Sequence, residues 1–135
     1  MNVNQIIKNV ESRCSAHIYI DRDPDSEPGW YIEEEQAIGI SVNQSDAEAI
    51  ASIVHEVAHH VDIEEHNHHE RRDIDAEVIA HAVEYAIIDK EPINGIIPRI
   101  EDSIREGYCI NEHAIVDEDD IRQVAERVQI ICGVF

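Results

Sequence analysis

The sequence predicts an α+β domain in which a small, mainly antiparallel sheet packs on a metal-binding helix, with further helices before and after it. Three observations carry that prediction. Apolar residues recur at helical spacing over several long stretches. Three short runs with strand character, 17–21, 30–32 and 37–42, lie together near the start of the chain. After them, His55-Glu56-Val57-Ala58-His59 spells H-E-x-x-H inside a helical stretch.

Taken in order, Val3, Ile6, Ile7, Val10 and Cys14 place an amphipathic helix over 3–14. His17-Ile18-Tyr19-Ile20-Asp21 alternates as a strand, and Pro24 and Pro28 mark the loop that follows. Residues 30–32 and 37–42 are two further strands, joined across the acidic run Glu33-Glu34-Glu35. Ser45 is the expected N-cap of the next helix, with Asp46 and Glu48 where negative charge suits the helix dipole. Ala47, Ile50, Ala51, Val54, Val57, Ala58 and Val61 form its apolar side, so it runs to about His60 or Ile63. Residues 62–72 read as a polar, histidine-rich loop, and 73–89 as a helix with Ile74, Val78, Ile79, Ala82, Val83, Ala86 and Ile87 inward. Pro92, Asn94-Gly95 and Pro98 break the chain before a short helix over 99–106. A last helix opens at 117–120, with Ile121, Val124, Ala125, Val128 and Ile131 inward.

At 135 residues the chain is one domain by length. Its formal charge of −20 repels phosphate backbones and anionic membrane surfaces and attracts cations and basic proteins. Direct nucleic-acid binding and membrane binding are therefore not expected. No apolar stretch reaches the ~18 residues of a membrane span. Residues 1–5 lack a basic region followed by an apolar run, so a cytoplasmic protein is expected. Cys14, Cys109 and Cys132 are odd in number and irregularly spaced, and read as reduced, mostly buried thiols. Leu and Thr are absent and Ile is abundant, although Leu is ordinarily among the commonest residues. No functional conclusion rests on that bias.

The chemistry concentrates in H-E-x-x-H. Residues four apart on a helix lie one turn apart on one face. His55 and His59 are thus placed to share one Zn2+, with Glu56 beside it as the candidate general base. Catalytic zinc ordinarily has three protein ligands. A third histidine close behind the motif is missing, because position 62 is Asp and position 65 is Glu. The following helix offers carboxylates instead: Asp73, Glu77 and Glu84 share one face with His81, and Asp75 points elsewhere. A buried row of acids is costly without a cation.

A strand at 37–42, then Asn43, a helix carrying H-E-x-x-H and a second helix reading Asp73-Ile74-Asp75-Ala76-Glu77-Val78-Ile79-Ala80 together resemble the ImmA/IrrE metallopeptidase domain. The resemblance spans residues 29–89. It implies a small sheet packed on the motif helix and a third zinc ligand three residues before the Ala, usually Glu. Carried onto this sequence, that position is Asp73, ranked ahead of Glu77. Asp is one methylene shorter, so its helix must come closer or Glu77 binds instead. Glu77 and His81 are the candidates for orienting a ligand or replacing one. The implied protein is a single zincin-like metallopeptidase domain over 1–135. It would hydrolyse peptide bonds of a basic protein or peptide substrate, with a DNA-binding regulator among the candidates. Members often work with a helix-turn-helix partner, and this sequence shows no such module.

Several assignments complete the reading. His81, Tyr85, Tyr108 and His113 are candidates to steady a tetrahedral oxyanion. Strand 37–42 is the candidate sheet edge for an extended peptide. His60, His66, His68 and His69 are read as a solvated loop, and His17 and His113 as structural. Trp30 and Tyr31 are read as core or sheet cover. Two other function classes stand beside the enzyme: a catalytically degenerate metal-binding domain that docks a protein, and an acidic DNA-mimic decoy.

Overall fold

In the computed structural model, which describes residues 2–23, 25–109 and 111–133, the chain runs α1 (Val3–Arg13), β1 (His17–Asp21), β2 (Gly29–Ile32), β3 (Ala37–Ser41), α2 (Asp46–His60), a π-helical turn (Val61–Glu65), α3 (Asp73–Ile88), α4 (Ile93–Tyr108) and α5 (Glu118–Cys132). This is the α+β architecture the hydrophobic pattern predicts. Ile6 and Val10 of α1, Ile38 and Ile40 of β3, and Ile53, Val54 and Val57 of α2 share one core with Val78, Ile79 and Val83 of α3 and Ile121, Val128 and Ile131 of α5. Among the described residues no helix is long and apolar enough to cross a membrane.

The sheet order is β1-β3-β2. β2 and β3 form the expected antiparallel pair, while β1 runs parallel to β3, so the sheet is mixed. Because β1 and β2 pair with opposite sides of β3, β3 is the central strand and is buried along its whole length. The expectation that strand 37–42 offers a free edge is therefore corrected: both sides of β3 are bonded, and the outer strands are β1 and β2.

Gly39 sits in register with Tyr19 on one side and Trp30 on the other. The two rings meet edge to face with centroids 5.8 Å apart, and the Trp30 indole N–H donates to the Tyr19 hydroxyl at 2.8 Å. A Cβ at Gly39 would lie 2.1 Å from the Trp30 ring, so only glycine lets that ring close over the strand. Gly39→Ala should displace Trp30 and lower stability by about 1–3 kcal/mol. Trp30 is the only tryptophan in the chain, so a red-shifted emission accompanying a lower midpoint in thermal unfolding checks this. An unshifted spectrum at wild-type stability would refute it.

α2 starts as predicted, with Ser45 and Glu48 forming a reciprocal capping box. It does not give way to a loop at residue 62. The π-helical turn carries Val61 and Asp62 into the interior, where Asp62 takes a bidentate pair from Arg71 at 2.8 and 3.0 Å. A half-buried cation partner, invisible to local sequence pattern, makes an acidic stretch part of the fold. His60 likewise leaves the predicted loop: it is fully buried on the last turn of α2, with its Nδ1 2.8 Å from the Tyr31 hydroxyl.

α4 is twice the predicted length. Pro92 stands just before its first turn, Asn94 and Gly95 lie in that turn, and Pro98 sits inside the helix. N–H groups of a first turn have no helical acceptor, so those residues do little harm there. Pro98 forfeits one bond, and the buried stripe of Ile96, Ile100 and Ile104 overrides it. All three cysteines are free, with Cys132 buried, Cys14 half-buried and Cys109 exposed.

Candidate metal centre

The motif lies in the second half of α2, facing α3 across a cleft of about 890 Å3 whose other wall is β2. The His55 and His59 rings stand 4.9 Å apart between centroids, as one helical turn dictates. Their ring nitrogens and the Glu56 carboxylate bring one ligand atom each within 4.8 Å of one another, a group able to hold a metal ion. Glu56 is only 6% exposed. Burial raises its pKa, against the opposing pull of His59 and His55. The strand β2 reaches this carboxylate closely at Gly29, where a Cβ would lie 3.3 Å from Glu56 Cγ.

The carboxylate across the cleft is Glu77. Its Oε1 is 2.9 Å from His59 Nε2 and its Oε2 is 3.5 Å from His55 Nε2. Burial alone would raise the Glu77 pKa, yet hydrogen bonds from His55 and His59 pull it well below the usual carboxylate range. Asp73, which the resemblance ranks first, is not brought to the pair. It is exposed at the first residue of α3 and lies in none of the described His and carboxylate groups close enough to share an ion. The reason is rotation and height: α3 buries Ile74, Val78 and Ile79 against the core, which leaves the first-turn acid at the cleft rim and the next-turn acid level with the histidines. Asp75 points elsewhere as expected, bonded to Arg72 and to the Ile115 N–H.

Glu84, one further turn along, had no assigned role in the sequence beyond sharing the acidic face. Its Oε1 accepts from His55 Nδ1 at 3.1 Å. That is the familiar arrangement in which a carboxylate holds a ligand histidine by the nitrogen facing away from the metal. Burial opposes charge on His55, but its hydrogen bonds to Glu77 and Glu84 prevail and lift its pKa to about 10. Burial would raise the Glu84 pKa, but His55 and His81 pull it down to about 2. Four ligands around one zinc at about 2.0–2.1 Å stand about 3.3 Å apart. His59 Nε2 and His55 Nε2 lie near that distance from the two oxygens of Glu77, at 2.9 and 3.5 Å, so the carboxylate can join either histidine around a small ion.

The other sequence candidates divide clearly. His81 and Tyr108 line the cleft. Tyr85 stacks behind His81 with centroids 6.3 Å apart. His113 is remote, bonded to Glu101 and Arg105 on α4, and His17 is exposed. Trp30 and Tyr31 cover the sheet but also line the cleft. His69 is paired with Glu33 at 2.6 Å on the cleft rim, beside Glu64. The Tyr31–His60 bond, which ties β2 to the end of the motif helix, has no signature in the sequence. No family model, curated protein or solved structure matches this chain.

Proposed function

We propose that this protein is a zinc-dependent peptidase acting on an extended protein chain. The observation that carries the reading is the buried Glu56 set beside the His55–His59 pair, with the Glu77 carboxylate facing both histidines across the cleft. His55, His59 and Glu77 would hold the ion, and Glu84 would orient His55. A zinc ion there supplies Lewis acidity and lowers the pKa of water toward ~7. Glu56 takes the proton of the attacking water and delivers it to the departing amine nitrogen. Its raised pKa suits both transfers. β2 offers backbone pairing to the substrate, because it forms one wall of the cleft and pairs only with β3 among the described residues. The charge of −20 adds a preference for a basic partner, and a DNA-binding regulator is one such class.

Elemental analysis after zinc-replete purification should give about one zinc per chain, and none for His55→Ala. Glu77→Ala should weaken zinc binding by more than the roughly 10–100-fold that loss of a supporting partner costs. Asp73→Ala should leave it near wild type. Zinc must displace the proton that Glu77 and Glu84 hold on His55 up to about pH 10, so apparent affinity should rise about tenfold per pH unit across neutrality. A wild type without zinc would end the metal reading, and a loss confined to Asp73→Ala would restore the other ligand. Cleavage of basic DNA-binding proteins, compared at low and high salt, tests the partner class.

A further inference from the structure

The structure assigns a fourth protein donor to the metal centre: we infer that His81 Nε2 joins His55, His59 and Glu77, making a three-histidine, one-carboxylate site. The inference rests on the metal reading above and extends it. His81 lies one turn beyond Glu77 on α3 and is half-buried in the cleft wall. Its ring stands 4.4 Å from that of His55, tilted by 61°. His81 Nε2 is 3.6 Å from Glu77 Oε2, the oxygen that lies 3.5 Å from His55 Nε2. These separations are too long for a strong hydrogen bond. They match the roughly 3.3 Å between neighbouring ligands of one zinc.

Glu84 sets the orientation. One oxygen, Oε1, faces His55 Nδ1 at 3.1 Å and His81 Nδ1 at 3.7 Å. Glu84 keeps the Nδ1 proton of His55, so once an ion displaces the second proton of that ring its Nε2 lone pair is the one left facing Glu77, beside His81 Nε2. One acid of α3 thus holds a histidine of α2 by a hydrogen bond and lies beside the Nδ1 of a histidine of its own helix. His55, Glu77 and His81 form one group with ligand atoms within 4.8 Å, and His55 belongs also to a second such group with Glu56 and His59. Four protein donors fill a tetrahedral shell. With His81 also bound the shell would have no open position, so a substrate would require His81 to let go or the ion to accept a fifth ligand.

X-ray absorption at the zinc edge of the wild-type protein should show three imidazoles, and His81→Ala should show two. Competition with a chromogenic chelator should give His81→Ala a zinc affinity weaker by at least about 10–100-fold. Far-ultraviolet dichroism of this partly exposed position should be unchanged. A wild-type spectrum with two imidazoles overturns the inference, and that measurement needs no variant. So does a His81→Ala affinity equal to wild type, even with reduced turnover, which would make His81 a donor to the reacting oxygen instead. A wild type that binds no zinc overturns the metal reading and this inference with it.

Discussion

Glu56→Gln is expected to lower peptide hydrolysis by about 10²–10⁴-fold, the range a positioned general base contributes, while zinc content and fold stay at wild-type levels. Gln keeps the size and one acceptor of Glu and removes the basic oxygen. The site tolerates it, because Glu56 approaches Gly29 through its aliphatic part and makes no ion pair among the described residues. The histidines keep their partners, since His55 and His59 bond to Glu77 and Glu84 and not to Glu56. The assay is cleavage of an unfolded basic protein, scored by the new termini, beside elemental analysis of both proteins. If the variant cleaves as fast as wild type, Glu56 is not the base. If the wild type cleaves no basic partner but binds one, the protein-docking reading replaces the enzyme; displacement of DNA from that partner would favour the decoy.

Asp62→Ala is expected to destabilise the protein by about 3–5 kcal/mol, the cost of stranding one charge of a buried pair. Asp62 is 2% exposed; the Arg71 side chain is 12% exposed and also lies 3.8 Å from Asp120. The two planar groups meet in parallel, and the Asp62 carbonyl also accepts from the His68 N–H at 3.1 Å. This knot closes the segment between α2 and α3, the two helices that carry the two sides of the candidate metal centre. Chemical denaturation with a chelator present isolates the effect from bound ion. Asp62→Leu with Arg71→Met removes both charges and should recover much of the loss. A single-variant loss below about 1 kcal/mol, the worth of a solvated pair, would show that water reaches Arg71.

The part of the site carried by one stretch of chain was legible. His55, Glu56 and His59 follow from helical geometry alone, and so does the shared face of Glu77, His81 and Glu84. Which acid meets the histidines depends on how α3 is rotated and shifted against α2. That offset is set by Ile74, Val78 and Ile79 finding places in the core, and no local period contains it. The resemblance ranks Asp73 first, while packing puts Glu77 within 2.9 and 3.5 Å of the pair. The sheet shows the same division. The three strands were readable from β-branched residues, but the central place of β3 depends on where β1 docks, a long-range choice. In α4 the error ran the other way, since Pro and Asn-Gly signals outweighed a buried Ile stripe that proved decisive. The π-helical turn was hidden because the partner that permits a buried Asp62 lies nine residues away.

The core has a kinetic side. Its largest buried members are Ile and Val, residues whose branched Cβ restricts rotation and weakens an isolated helix. α2 and α3 therefore owe their persistence to each other more than to their own backbones. Detached from its neighbours, the motif segment would not keep His55 and His59 one turn apart. The site then comes into being in the same step as the tertiary structure, and an ion that binds it acts on the folding equilibrium of the whole domain. Chelation should for that reason speed global unfolding and proteolysis together, with no intermediate in which the helices survive and the pocket is lost.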